Sequence, residues 1–357
     1  MNIRESLPDI YYIKHSIRTL MKKSILPVIP VLILIFLLMH PAQSFEGAKS
    51  GLLLWFNVVL PTLLPFMLCS SLLVAWGGVP LITRPFSPLF RLLHLSDGGS
   101  YALMAGLLCG YPMGAKTTAD FLREGKITAN EGKRLLAIAG CPSPMFVAGY
   151  VHSHLDGTVP FFSVAFSLYI PVILLGFLVQ VFYRDRNREQ KKSSAVYSTE
   201  GRSAASLPAG TSAGTSANRY AGTSMGVSAD VPPAKSQPFD EIMMSSLEIM
   251  VKIGGYIMLY SILARFICGS GLIPEPVKPL LTGFVEMTTG IDNVSRSLSG
   301  LPAALVILFS AAFGGLSGVS QTNTVIKNAG LSIRHYVLWK LVHASLACFI
   351  LILLSSL

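Results

Sequence analysis

Apolar residues run almost without interruption over 24–40, 51–76, 99–118, 134–150, 158–183, 242–268, 300–320 and 335–356. Runs of this length, with neither strand alternation nor a one-sided stripe, predict membrane-crossing helices, which need roughly 17–25 mostly apolar residues each. Several runs are broken. The stretch "CGYPMGAKTTADFL" at 109–122 sets Gly110, Tyr111, Pro112 and Gly114 directly before Lys116, Thr117, Thr118 and Asp120. "GCPSPMF" at 140–146 places a proline on each side of Ser143, and "GGLSGVSQTNT" at 314–324 carries Ser317, Gly318, Gln321, Thr322 and Asn323. Irregular backbone at membrane depth is tolerated only where it is buried in protein or lines a watery cavity. Paired broken segments in the two halves of a chain point to a transporter-type binding site.

Composition supports a membrane protein. Of 357 residues 52% are hydrophobic and only 13% charged, with a mean hydropathy of +0.58, whereas soluble domains carry about 25% charged residues. The net charge of +10 is concentrated at Arg4, Lys14, Arg18, Lys22 and Lys23 and at Arg184, Arg186, Arg188, Lys191 and Lys192. Both clusters flank apolar runs, so the excess reads as the positive-inside bias of cytoplasmic ends, and nucleic acid is not an expected partner. The five cysteines lie in or beside apolar runs with no CxxC spacing and read as buried thiols. "GYPMGAK" lacks the spacing of a phosphate loop, and no GxSxG, HExxH or Ser/His/Asp pattern occurs. No enzyme, cofactor or metal site is expected.

From Arg184 to about Pro238 the chain turns polar and repeats "AGTS", a composition that predicts a flexible linker. The expected organisation is a basic N-terminus with a retained first helix (1–44), a membrane unit (45–183), a disordered linker (184–239) and a second membrane unit (240–357). Laying 110–128 over 314–332 matches Gly110 with Gly314, Gly114 with Gly318 and Thr118 with Thr322, and Thr128 with Ser332 as helix caps. The expected fold is therefore all-α and polytopic, two related units with glycine- and proline-broken re-entrant segments, arranged as an inverted repeat. One sign opposes inversion: with the units matched this way, Lys327, Arg334 and Lys340 would fall outside, against the positive-inside rule.

The broken segments supply the candidate site. Lys116 and Asp120, four apart, share a helical face. The hydroxyl and amide groups of Thr117, Thr118, Ser143, Ser317, Gln321, Thr322 and Asn323 suit a small polar solute, and Glu286 in "LLTGFVEMTTGID" is an ionisable residue in an apolar stretch, a functional hypothesis by default. Helix packing through small residues is the competing explanation.

"LLLWFNVVLPTLLPFMLCSSLL", "CGYPMGAK", "LLAIAGCPSPMFV", "GFVEMTTGI" and "SGVSQTNTVI" together resemble the YlbJ-type sporulation integral membrane proteins. The resemblance implies a nucleoside-recognition or Gate domain, a multi-pass location in a cell membrane of the developing spore or mother cell, and a role in spore formation through cortex assembly. The resemblance does not itself name a substrate; with the polar breaks, the expected work is passage of a small polar solute, the alternative is a scaffold for spore-envelope proteins, and a homo-oligomer is compatible with both. The positions it carries over are Gly110, Tyr111, Pro112, Gly114 and Lys116, then Cys141, Pro142, Ser143 and Pro144, then Glu286, Ser317, Gly318, Gln321 and Asn323.

Overall fold

The computed structural model describes residues 28–183, apart from Gly77, Asp156 and Thr158, and residues 239–356. The basic N-terminus and the predicted linker lie outside the described residues. Every regular element among those described is helical, as expected of apolar runs that must satisfy their backbone groups internally.

The first unit opens with α1 (Val28–Met39) and α2 (Pro41–Leu54), which passes through a π turn at Trp55–Val59 into α3 (Leu60–Ala75). The short α4 (Val79–Thr83) and α5 (Ser87–Leu92) lead to α6 (Asp97–Cys109), α7 (Met113–Arg123), α8 (Ala129–Ile138), α9 (Pro144–Phe146) with irregular turns to Leu155, and α10 (Phe161–Phe182). The second unit comprises α11 (Phe239–Gly269), α12 (Lys278–Val285), α13 (Met287–Ser297), α14 (Gly300–Phe313), α15 (Gly315–Ile326) and α16 (Ile333–Ser355). Among the described residues, five helical stretches are long and apolar enough to cross a membrane: Pro41–Leu73, Phe161–Phe182, Phe239–Gly269, Gly300–Ile326 and Ile333–Ser355.

Glycine decides where the chain reverses. The run at 99–118 does not cross as one helix, because α6 and α7 fold back on each other at 110–112, where Gly110 takes φ +76. Gly106 and Gly114 meet across this hairpin, and a Cβ on either would strike the carbonyl of Ala139. A second hairpin joins α12 to α13 at Glu286, where Gly283 and Gly290 come backbone to backbone.

The stretch at 314–324 is different. Gly314, at φ +86, interrupts a continuous span, Gly300–Ile326, without turning it back. Of the two forms open to the broken segments, hairpin or half-helix, 110–120 belongs to a hairpin (97–123) and 314–324 to a half-helix, while the other hairpin is 278–297. A second break lies at 140–143, and the spacing Gly-x-x-Ser recurs at both, as Gly140 and Ser143 and as Gly314 and Ser317. Each unit then reads as a long span, a hairpin, a broken helix and a closing span.

The long spans pack antiparallel across the two stretches of chain. Gly47 faces Ile262 while Trp55 Nε1 donates to the Met250 carbonyl at 2.9 Å, so α2 and α11 run in opposite directions. Tyr183 meets His335 at 3.1 Å and His343 meets the Leu168 carbonyl at 2.9 Å, which sets α10 against α16 in the same sense. His335 Nε2 also lies 2.8 Å from the Lys133 carbonyl, so Arg334 sits at the same end of the molecule as the basic 119–134 segment. A core of Val151, Leu168, Ile291, Ile307 and Ala311, all fully buried, fastens the two units together. Thr128 caps α8 through the amide of Glu131 at 3.1 Å, but Glu131 reaches instead to the Ser96 amide at 2.6 Å and ties α8 to the start of the first hairpin.

Candidate functional site

Four backbone breaks converge on one small cavity, about 40 Å³, room for two or three waters. The first hairpin tip contributes Gly110 and Tyr111, and the second contributes Glu286, Met287 and Thr288. The broken helices contribute Pro142, Ser143 and Phe146 on one side and Gly314, Ser317, Gly318 and Gln321 on the other. Val59 and Leu63 of the first span and Ile253 and Ile257 of α11 close it with apolar walls.

The breaks also aim helix starts at the cavity. α7, α9, α13 and α15 all begin at these breaks, so the positive N-terminal ends of α7, α13 and α15 lie at the cavity. Glu286, 2% exposed, answers one of them: its Oε2 accepts from the Thr289 amide at 2.7 Å and from Thr288 Oγ1 at 2.6 Å, capping α13. Ser143 caps α9 through the Phe146 amide at 3.3 Å. Gln321 Nε2 donates to Ser317 Oγ at 3.1 Å, one turn apart on α15. Tyr111 points its hydroxyl at Met287 Sδ and lays its ring against Gly318 and, more tightly, Gly314, where a side chain would press on the ring.

Seven predicted residues meet here: Gly110, Tyr111, Ser143, Glu286, Ser317, Gly318 and Gln321. The others lie elsewhere. Pro112 is the cap residue of α7, Gly114 serves hairpin closure, and Thr118 bonds back to the Gly114 carbonyl at 2.7 Å. Lys116 pairs with Asp120 at 2.9 Å, and Asp120 also meets Arg123, in a partly exposed cluster that includes the half-buried Thr117 as a neighbour in sequence. Thr322 is buried outside the cavity lining, and Asn323 is exposed.

Lys340 was read in sequence only as a basic residue favouring one face. It is fully buried, donates to the Gly140 carbonyl at the broken helix, and stands 5.2 Å from the centre of the Tyr111 ring, on which Gly314 also packs. The signal was available: the residue stands within the 335–356 run rather than at its edge, where a lysine would snorkel.

At the opposite end from Lys133 and His335, a second polar cluster fastens the turns after α9 to the second hairpin. His154 Nε2 lies 3.8 Å from Asp292 Oδ1, and Arg296 holds the same oxygen at 3.0 Å. The Asp292 carboxylate raises His154 above the usual imidazole value despite partial burial, and His154, with Arg296, holds Asp292 below the usual carboxylate value.

The chain is similar to "Sporulation integral membrane protein YlbJ" of Bacillus subtilis (strain 168), at 26% identity over 345 residues, covering 88% of this chain and 78% of that protein. A likeness spread over nearly the whole chain supports its place in the YlbJ family and, with the five apolar spans, a multi-pass membrane location. No family model matches the chain, and no solved structure gives a significant match.

Proposed function

We propose that this chain is an integral membrane protein of spore formation that admits a small polar solute through the cavity between its two units, in support of cortex assembly. The observation that carries the reading is the convergence of two hairpin tips and two broken helices on one cavity holding a buried carboxylate, Glu286. Such breaks are costly in lipid and are retained where they bind or conduct.

The units are read as an inverted repeat. Antiparallel packing of the corresponding spans favours it, and the revised pairing removes the earlier objection. With 140–143 matched to 314–317, the loop before α16 falls on the same face as 119–134, so Lys327 and Arg334 obey the positive-inside rule along with Arg123 and Lys126. One unit rocking against the other would then expose the cavity alternately. At its present size it takes a few waters, so a larger solute requires the tips bearing Tyr111 and Glu286 to part.

A second reading has its own support. The polar groups of Glu286, Ser143, Ser317 and Gln321 all have partners within the protein, as they would in a scaffold that keeps the fold to organise other envelope proteins. A thermal-shift screen of the purified full chain against nucleosides, amino sugars and cell-wall peptides separates the two. Ligand at about 100 times its dissociation constant adds ~2.7 kcal/mol to the native state. Stabilisation of the wild type that disappears in Glu286→Gln supports passage. No stabilisation, together with normal heat-resistant spores from Glu286→Gln, overturns it in favour of the scaffold.

A further inference from the structure

Lys340 is the buried charge that the cavity reading leaves unused. It lies in α16 with no exposure to solvent. Among the described residues it forms no ion pair; its ammonium donates to the Gly140 carbonyl and faces the π surface of Tyr111 at 5.2 Å. The surrounding titratable groups are Cys141 at the broken helix, Tyr111 at the hairpin tip, Tyr336 and His343 on its own helix, and Tyr169 of α10, which bonds to the Pro142 carbonyl at 3.1 Å. α14 and α15 carry no titratable side chain. None of these neighbours is a carboxylate. An ammonium taken out of water with no counter-ion costs several kcal/mol, and a carbonyl with an aromatic face returns only part of it.

The two groups that hold the ammonium belong to two of the four breaks. Gly140 is at the interruption between α8 and α9, and Tyr111 is the tip of the first hairpin and a wall of the cavity. Adding or removing one proton at Nζ therefore changes the force on both at once. The charged form attracts the ring and the carbonyl together. The neutral amine keeps a weaker bond to the carbonyl and loses the attraction to the ring.

We propose that Lys340 is a proton-binding site that controls the first hairpin tip: protonated, it holds Tyr111 and Gly140 together, and deprotonated, it releases the tip. The proton is the ligand, exchanged with water when the tip parts from the cavity. The inference concerns a proton, and it stands whichever solute the cavity takes and whether or not one passes.

The test is amide hydrogen exchange on the full-length protein in detergent or nanodiscs, followed from acidic to alkaline pH and corrected for the intrinsic pH dependence of exchange. In the wild type, peptides covering 105–115 and 139–146 should exchange about fivefold faster at the alkaline end, the factor corresponding to a cation–π contact of ~1 kcal/mol. Lys340→Arg keeps a permanent charge and should stay protected throughout. Tyr111→Leu removes the ring but not the charge, and should exchange fast in 105–115 at every pH. Lys340→Met should show no pH step, and thermal melting with exchange in α11 reports whether it is folded. Should Lys340→Met fail to fold, the Arg and Leu variants decide alone. A step that persists in Lys340→Arg, or in a folded Lys340→Met, overturns the proposal and moves the titration to a neighbour such as His343. An unchanging wild-type profile overturns it too. Neither result bears on the cavity reading, which rests on ligand stabilisation and Glu286.

Discussion

The two hairpins use one backbone device and carry different chemistry. In each, a pair of glycines lets two short helices touch backbone to backbone: Gly106 with Gly114 in the first, Gly283 with Gly290 in the second. The tips differ. The first presents Tyr111, an aromatic wall in contact with Met287 and over the buried Lys340, while the second presents Glu286, a carboxylate committed to the start of α13. Closure is thus fixed by what is absent, the Cβ atoms, and chemistry by what the one or two tip residues add. The two can be varied separately.

The largest effect is expected from breaking closure. Gly106→Val or Gly290→Val drives a side chain into backbone that cannot move aside, so at least ~3 kcal/mol should be lost. Size-exclusion recovery of monodisperse protein after detergent extraction should collapse for both variants. Equal recovery of either would mean that the glycine pairs are not what closes the hairpins.

Changing tip chemistry while sparing closure should cost far less stability and more function. Glu286→Gln weakens the cap of α13, a loss of about 1 kcal/mol. Yet an endospore-forming strain carrying it in place of the native copy should form few heat-resistant spores at normal protein abundance. Ser143→Ala, which removes the cap of the other broken element together with a cavity hydroxyl, should cost a similar ~1 kcal/mol in melting experiments.

A smaller effect should appear at the base of the second hairpin. Because the folded value of His154 is raised, its charged form stabilises the protein fully below the unfolded imidazole value of about 6.5, and this contribution is lost as pH rises through the folded value. Asp292 has the opposite sign: its contribution is present above about pH 4 and is lost as pH falls through its depressed folded value. His154→Ala should lower the melting temperature more at pH 5 than at pH 8. The stability difference should be about 0.5 kcal/mol, since the pair is partly solvated. An equal loss at both values would show that the imidazole acts by packing alone. The first hairpin has only a surface counterpart, Lys116 with Asp120 and Arg123. Lys116→Ala should change stability by less than about 0.5 kcal/mol and leave sporulation intact.

Much of this was legible in the sequence because lipid leaves so few options. Long apolar runs must be helices, and glycines and prolines among polar residues must mark breaks, so the helical class and seven cavity residues followed directly. What the one-dimensional pattern does not distinguish is a glycine that reverses the chain from a glycine that only kinks it. Gly110 and Gly314 look alike in sequence, both take positive φ, and only the neighbours reveal that one ends a helix folded against its successor. That ambiguity leaves more than one register open for a repeat, and the proposed register, with 140–143 matched to 314–317, is the one without a conflict over Lys327 and Arg334. Lys116 was overvalued for a related reason. Its spacing to Asp120 fixes a shared helix face, but which face looks into the cavity depends on Gly114 packing under Ala139, a contact 25 residues away in sequence. Lys340 was undervalued because its depth is a property of the whole helix and not of its neighbours.

The paired glycines have a consequence for how the protein is made. α6 is 13 residues long, ~20 Å at 1.5 Å per residue, and α7 is shorter still, so neither reaches across a hydrocarbon core of about 30 Å. A ribosome-coupled insertion machinery that releases segments one span at a time has no stable place in lipid to leave them. The carbonyl of Ala139, against which the first hairpin closes, is synthesised after the hairpin itself. The first hairpin must therefore wait, sheltered, until α8 follows it, and the second must likewise wait for α14. For this chain, insertion into the membrane and tertiary folding are one event.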